Sequence, residues 1–249
     1  MARYDFRTPR LYVDAPLGSG AAVALDRDAA NHLCNVLRLT RGDAVLLFNG
    51  RDGEWRGTLA EAGKRAASVR AEERLRPQPP ANDLHYLFAP LKHARLDYVV
   101  QKAVELGASR LQPVLTRHTQ VTRINLERMQ ANVIEAAQQC GVLAVPEVAA
   151  PIKLDEAVAD AARLLVFCDE DAEIADPVTA LRAAAKDGVP PLAVLVGPEG
   201  GFAEEERTLL LRRANSVRLA LGPRILRADT AAVAALALVQ AVLGDWRAR

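Results

Sequence analysis

The chain contains two glycine-bearing segments that each follow an apolar run: Leu195-Val196-Gly197-Pro198-Glu199-Gly200-Gly201-Phe202 and Leu219-Ala220-Leu221-Gly222-Pro223-Arg224-Ile225-Leu226-Arg227-Ala228-Asp229-Thr230. Each apolar run is typical of a buried strand, and each segment leads into a predicted helix. Ligands of open α/β sheets bind beyond the carboxyl ends of the strands, so two such loops can form one pocket. The alternative is that both are ordinary strand-to-helix turns whose acidic residues complement the helix dipole.

The composition of these segments argues against a phosphate ligand. Neither segment is a Walker A loop, and neither matches the dinucleotide pattern G-x-G-x-x-G. A phosphate favours a helix N-terminus with basic residues, whereas Glu204, Glu205 and Glu206 place three acids there. The pocket therefore suits a neutral or cationic adenosine compound such as S-adenosylmethionine, because the glycines allow main-chain groups to approach the adenine closely.

Strands and helices alternate around these loops, which predicts a parallel sheet with covering helices. The predicted strands are Leu84–Ala89, Leu111–Leu115, Leu164–Cys168, Leu192–Val196 and Val217–Leu221. The predicted helices are Leu96–Leu106, Leu126–Cys140, Asp155–Ala162, Val178–Lys186, Ala203–Ala214 and Thr230–Leu243, the last with Asp229 as its N-cap.

The first part of the chain has a different sequence pattern, with short strand-like segments in place of alternating strands and helices. Arg76-Pro77-Gln78-Pro79-Pro80 cannot continue a helix or a central strand and marks a linker. Before it, short strands at 43–48, 54–59 and 67–72 follow one predicted helix, Ala29–Leu39. We therefore predict a small β-barrel over residues 1–75, a Pro-rich linker over 76–81 and an α/β domain over 82–249.

Charge and composition restrict the class of protein. The net charge of the 249 residues is only +1, but residues 85–128 carry seven basic residues against three acids, and 27 of the 32 basic residues are arginine. This bias indicates either genome composition or an RNA-binding surface. The apolar run Ala231–Val239 is too short for a membrane helix, and no secretory leader is visible at the start. We expect a cytoplasmic protein.

The three cysteines, Cys34, Cys140 and Cys168, show no C-x-x-C spacing. An odd count without that spacing predicts neither a disulfide framework nor a metal site. Cys140 and Cys168 are interpreted as small core residues.

The two glycine segments resemble the signature of the bacterial 16S rRNA uridine-N3 methyltransferases, a family of the SPOUT superfamily. The resemblance extends over nearly the whole chain, through His32–Asp43, Gln101–Gly107 and Glu135–Val148. Two departures are visible. Cys140-Gly141-Val142 stands where the family usually has Ser-Gly-Arg, which removes an arginine that could contact RNA, and Ala228-Asp229-Thr230 replaces Thr-Glu-Thr.

The resemblance implies an N-terminal PUA-like β-barrel that binds RNA and a C-terminal α/β trefoil-knot (SPOUT) methyltransferase domain that holds S-adenosylmethionine in the knot. It also implies a homodimer that acts on 16S rRNA of the small ribosomal subunit, without a metal or a membrane. Two rival functions stay open: ribose 2′-O-methylation of tRNA with the same pocket, and a non-catalytic RNA-binding adaptor that would keep the barrel and the basic face but would not need both glycine loops.

Site residues follow from the motifs. Arg227 is the candidate cation for charge on the uracil oxygens, and Glu199 and Glu135 are candidate proton acceptors, with an exposed structural role as the alternative for Glu135. The candidate cofactor-binding residues are Leu195, Val196, Gly197, Gly200, Gly201, Leu219, Leu221, Gly222, Ile225 and Leu226. The candidate RNA-binding residues are Arg10, Arg38, Lys92, Arg95 and Arg224.

Overall fold

The structure is a computed structural model that describes residues 5, 7–63, 66–121, 123–172, 176–185 and 188–247. The chain divides into two compact units. One unit contains residues 1–81 and 137–145, and the other contains residues 82–136 and 146–249.

The first unit is built on a five-stranded sheet. Its strands are β1 (Arg10–Tyr12), β2 (Ala22–Leu25), β3 (Ala44–Phe48), β4 (Glu54–Ala62) and β5 (Ala67–Arg76). They lie in the order β1-β3-β4-β5-β2, with β1 parallel to β3 and the other pairings antiparallel. Val23, Leu47, Leu59 and Val69 are among the buried side chains that form its core.

The helical part of this unit differs from the prediction. The predicted helix Ala29–Leu39 is a short helix α1 (Arg27–Asn31) that continues as a π-helix, His32–Val36. Asp26 caps α1 by accepting a hydrogen bond from the Ala29 amide at 2.7 Å. The regular apolar pattern therefore marked the location of the helix, whereas its geometry changes after one turn.

The second unit contains a parallel sheet. Its strands are β6 (Leu84–Phe88), β7 (Arg110–Leu115), β8 (Glu147–Val148), β9 (Ile152–Lys153), β10 (Leu164–Cys168), β11 (Leu192–Val196) and β12 (Ser216–Leu219). The order is β12-β10-β11-β6-β7-β8, and β9 also pairs with β7. Every pairing between these described strands is parallel, as predicted.

Helices cover this sheet. They are α2 (His93–Glu105), α3 (Leu126–Cys140), α4 (Leu154–Ala157), α5 (Pro177–Ala184), α6 (Glu204–Arg212) and α7 (Ala228–Val242). Helix α2 packs on α7. Both helices contain fully buried residues, among them Val99, Ala103 and Leu236. The fold class of the prediction is confirmed: the second unit is α/β and follows a smaller β-rich unit.

Three local predictions are wrong. The predicted helix Asp155–Ala162 is the single turn α4, which ends at Ala157. Helix α7 begins at Ala228 with Arg227 as its N-cap, so Asp229 lies in the first turn and its carboxylate accepts from the Thr230 amide at 2.9 Å. Cys140, predicted to be a core residue, is exposed at the end of α3. Lys186, the predicted end of the fifth helix, lies outside the described residues.

Candidate functional site

The two glycine segments lie side by side at the carboxyl edge of the parallel sheet. Strand β10 separates β12 from β11, and all three run in the same direction. The loop after β11 leads into α6, and the loop after β12 leads into α7. The sheet therefore brings together segments that are about twenty residues apart in the sequence, as expected for ligand sites of open α/β folds.

These loops enclose a cavity of about 400 Å³. Its lining comes from the carboxyl end of β10 (Cys168 to Asp171), the loop at 196–202, Arg207, and residues of 219–231. Such a volume is typical of small-molecule sites. Nine of the ten candidate cofactor residues line it: Val196, Gly197, Gly200, Gly201, Leu219, Leu221, Gly222, Ile225 and Leu226.

Leu195, the tenth candidate, does not contribute its side chain. It is completely buried and packs in the core of the second unit with Leu87 and Phe167. Alternate residues of a strand point to opposite faces of the sheet, so a strand that ends at a ligand cavity still directs part of its side chains into the core.

Gly222 has a backbone conformation that favours glycine. Its φ is +93°, and a Cβ built there meets no heavy atom within 4 Å. Gly197 has a different requirement, because its Cβ would lie 2.8 Å from the Phe202 ring. One glycine therefore shapes the loop, and the other permits an aromatic ring to close against the main chain.

The start of α6 already holds an anion. The Glu206 carboxylate accepts hydrogen bonds from the amides of Ala203 at 2.9 Å and Arg117 at 2.8 Å. This carboxylate occupies the N-cap amide of α6 and places a negative charge where a phosphate would bind. The cavity is therefore poorly suited to a phosphate at this helix.

The wall formed by the end of β10 is acidic. The buried Asp169 carboxylate pairs with Arg218 at 2.6 Å and with Arg207 at 3.3 Å. Glu170 is exposed and lines the cavity, and its Oε1 lies 3.3 Å from the position of a Gly201 Cβ. Burial, together with Asp169, raises the pKa of Cys168 to about 12, so this thiol is neutral and no nucleophile.

The cavity therefore combines apolar side chains, glycine-containing main chain and carboxylates. Leu219, Leu221 and Leu226 supply apolar surface for an aromatic ring system. Carboxylates can accept from, or lie opposite, positively charged groups. These residues fit an adenosine derivative that carries positive charge and lacks phosphate.

The loop after β11 also lines a second cavity, of about 320 Å³. Pro198 and Glu199 line both cavities. Two candidate RNA-binding residues, Lys92 and Arg95, line the second cavity, and the Arg95 guanidinium pairs with the Glu199 carboxylate. The structure thus joins a predicted catalytic residue to a predicted RNA-binding residue.

The other two catalytic candidates lie elsewhere. Arg227 is exposed at the N-cap of α7 and is outside the described lining of either cavity. Glu135 is exposed on α3 and is likewise outside both linings. Arg224 is exposed and lines the first cavity beside Ile225, whose side chain is 90% exposed.

The RNA-binding candidates of the first unit have contrasting environments. Arg38 is exposed and has a φ of +59°, which is uncommon for a residue other than glycine. Arg10 has a side chain that is only 5% exposed and pairs with the equally buried Glu54 at 2.6 Å. The role of Arg10 in RNA binding stays a prediction, and the buried ion pair with Glu54 argues against it because the guanidinium already has an anionic partner.

Sequence patterns missed His118 and Gln120, which also line the second cavity. The His118 Nδ1 atom lies 3.0 Å from the Gly201 carbonyl oxygen and so tethers the segment after β7 to the glycine loop. The only sequence signal for these residues is their position just beyond the end of a strand.

Within the described part of the chain, no cluster of three or more His, Cys, Asp or Glu side chains is placed to hold a metal ion. Over the same residues, no helix has the length and apolar character needed to cross a membrane.

Comparisons with known proteins agree with this geometry. Residues 77–240 match the model of an RNA methyltransferase domain, and residues 25–72 match an RNA methyltransferase PUA domain. The ribosomal RNA small subunit methyltransferase E of Rickettsia conorii is 32% identical over 93% of this chain and 94% of its own length.

Two solved structures share the whole fold. A putative methyltransferase from Legionella pneumophila, in complex with the bound cofactor SAM, superposes with a TM-score of 0.84 at 32% identity and covers 96% of this chain and 99% of its own. The ribosomal RNA small subunit methyltransferase E of Neisseria gonorrhoeae, bound to S-adenosyl methionine, has a TM-score of 0.84 at 28% identity, with 97% and 100% coverage.

Proposed function

This chain belongs to the RNA methyltransferase family with an N-terminal PUA domain, and we propose that it methylates N3 of one uridine of 16S ribosomal RNA. Its methyl donor is S-adenosylmethionine, and its RNA substrate belongs to the small ribosomal subunit. We further propose that residues 1–75 bind RNA, that 76–81 form a linker to the methyltransferase domain 82–249, and that the enzyme works as a homodimer in the cytoplasm.

The cavity between the two glycine loops carries this proposal. The Glu170 carboxylate and the apolar leucines of its lining fit a sulfonium compound with an adenine ring, and the Glu206 carboxylate at the N-cap amide of α6 disfavours a phosphate there. S-Adenosylmethionine supplies an electrophilic methyl group there. The chain's own residues bind the donor, exclude water and orient the acceptor atom.

Methylation at N3 requires a proton acceptor. The N3 atom lies on the Watson–Crick edge of uracil, so the base must be unpaired or turned out of its helix before it reacts. Glu199 is our candidate acceptor, because it is among the residues that line both cavities. Catalytic roles for Glu135 and Arg227 stay predictions; both residues are exposed, and neither is among the described lining residues of the two cavities.

Nucleoside analysis of the ribosomal RNA tests the function. We expect N3-methyluridine to disappear from 16S rRNA when the gene is deleted and to return with the wild-type gene. Ribose-methylated nucleosides in tRNA that follow the gene instead would support the 2′-O-methyltransferase alternative. A protein that does not bind S-adenosylmethionine by calorimetry would support the adaptor.

A further inference from the structure

The second cavity combines elements from three adjacent strands. It begins where β6 ends, includes the first turn of α2, and is closed by the segments after β7 and β11. Strand β6 lies between β11 and β7, so the sheet fixes the spacing of these segments. The apolar residues that line the second cavity are Pro90, Leu91, Ala94, Val121 and Pro198. The polar residues that line it are Lys92, Arg95, His118, Gln120 and Glu199.

This mixture suits a single nucleobase turned out of an RNA strand. Apolar groups cover the faces of such a base, and polar groups contact its Watson–Crick edge. That edge of uracil presents an N–H between two carbonyl oxygens. The cavity offers the cations of Lys92 and Arg95 for the oxygens and the Glu199 carboxylate for the N–H. Cytosine has an unprotonated N3, which would face that carboxylate unfavourably.

The shared wall determines which atom of the base meets the methyl donor. Glu199 lines both cavities, so an atom that contacts Glu199 from the second cavity lies beside a residue of the first cavity. For uracil this atom is N3. A uracil whose N3 contacts Glu199 would therefore have its acceptor nitrogen where the two linings meet.

Arg95 lies between two carboxylates at that junction. Its guanidinium pairs with Glu199, and its Nε atom is 3.9 Å from an Asp229 carboxylate oxygen. Asp229 comes from the first turn of α7, directly after the second glycine loop. A guanidinium has five donors in a planar fork, so it can remain beside Asp229 while it exchanges its other partner.

We propose, on the basis of the proposed function, that the second cavity receives the target uracil and that Arg95 is the catalytic cation. When the base enters, Arg95 exchanges Glu199 for a uracil oxygen. Glu199 loses the cation that stabilises its charge and accepts the N3 proton. The N3 electron pair then forms the N–CH₃ bond, the C–S bond breaks with its electrons returned to sulfur, and Arg95 stabilises the negative charge on the uracil oxygen meanwhile.

Substitution of Arg95 tests this role in the full-length protein. With small-subunit rRNA and S-adenosylmethionine both saturating, we expect Arg95→Ala to lower the single-turnover rate by about 10²–10³, the usual effect of losing one preorganised donor to a developing anion. The single-turnover rate of Arg95→Lys should lie between those of wild type and Arg95→Ala, since the lysine ammonium keeps the charge but loses the planar set of guanidinium donors. The affinity for S-adenosylmethionine, measured by calorimetry, should change less than about twofold, because Arg95 does not line the cofactor cavity.

Arg110→Ala is the matched control. Arg110 pairs with Glu147 at 2.8 Å with a similar exposure, 34% against 38% for Arg95, and lies outside both described cavity linings. Its rate should stay within about twofold of wild type, as expected for a surface ion pair. Added guanidinium ion, below denaturing concentration, should raise the rate of Arg95→Ala, whereas equal sodium chloride should not.

Each outcome decides a different question. An Arg95→Ala rate within about threefold of wild type, or a deficit that more RNA removes, would overturn the inference, because a phosphate contact affects binding and spares chemistry. Lack of rescue by guanidinium together with a wild-type rate for Arg95→Lys would also overturn it. A wild-type enzyme that makes no N3-methyluridine would instead overturn the proposed function.

Discussion

Replacing Arg10 with alanine should destabilise the first unit instead of weakening RNA binding. Glu54 is 3% exposed and accepts from Arg10 at 2.6 Å and from Arg76 at 2.7 and 2.9 Å. Removing one partner of a buried pair costs about 3–5 kcal/mol. Two effects reduce this cost by about 1–3 kcal/mol. Glu54 keeps its hydrogen bonds from Arg76, and the substitution removes the Nη2 atom of Arg10, which is buried without a hydrogen-bond partner among the described groups. We therefore expect a net loss of about 2–3 kcal/mol.

The fluorescence of Trp55 reports on this unit, because Trp55 lies on β4 against the core. Trp246, 55% exposed in the other unit, can be silenced as Trp246→Phe. For a unit of this size, 2–3 kcal/mol lowers the melting temperature by at least about 8 °C.

The Arg51–Asp14 pair of the same unit provides the control. Its side chains are 55% and 82% exposed, so Arg51→Ala should cost at most about 1 kcal/mol. Glu54→Ala should cost more than Arg10→Ala, because it leaves a buried guanidinium without an anion. If Arg10→Ala melts like wild type while the log–log salt slope of RNA binding falls by about 0.7, Arg10 is a phosphate contact and our reasoning is wrong.

Three further predictions concern single residues. Gly222→Val should fold with a loss of about 1–2 kcal/mol of stability, because valine must adopt a positive φ. Its affinity for S-adenosylmethionine in calorimetry should fall at least about tenfold. Gly188→Val, at a φ of +121° outside the described cavity linings, is the control and should keep the wild-type affinity. Arg227→Ala should lower RNA affinity while its single-turnover rate at saturating RNA falls less than about tenfold; a fall of about 10²–10³ would return the catalytic role to Arg227. Burial opposes ionisation of Glu54, but the hydrogen bonds from Arg76 and Arg10 outweigh it and hold its pKa below the ordinary value. The stabilisation is therefore complete above about pH 4.5 and is lost as the pH falls through the lowered pKa. In acid, the free energy of unfolding measured with urea should therefore fall more steeply with decreasing pH in wild type than in Glu54→Gln.

Strong local patterns explain what could be predicted from the sequence. Strands β10 and β11 are continuous apolar runs with the predicted bounds, and α3 has the predicted ends, because each has a uniform period and clear flanking residues. The two glycine loops were located for the same reason. Nine of ten candidate cofactor residues consequently line one cavity, and the exception follows from the alternation of side chains along β11.

Short elements and buried charges could not be predicted. Strand β1 has three residues, fewer than a period-two pattern needs to be recognised, and it pairs with a strand more than thirty positions away. Arg10 lies on that strand, so nothing local distinguishes it from a surface arginine. Its burial depends on Glu54, forty-four residues away, and on the main chain of Gln138.

The ion pair between Arg95 and Glu199 could not be predicted from the sequence either, and it affects how the site is oriented. The two residues are 104 positions apart, and the sequence predicts both preceding strands but not that β6 and β11 are neighbours. Once these strands pair, with Phe88 opposite Val196, the hydrogen-bonded ladder fixes where both following segments begin. Little conformational freedom is then lost when the guanidinium meets the carboxylate. A cation and a base placed by a sheet are oriented before the substrate arrives, which is the condition under which electrostatic stabilisation contributes most to a rate.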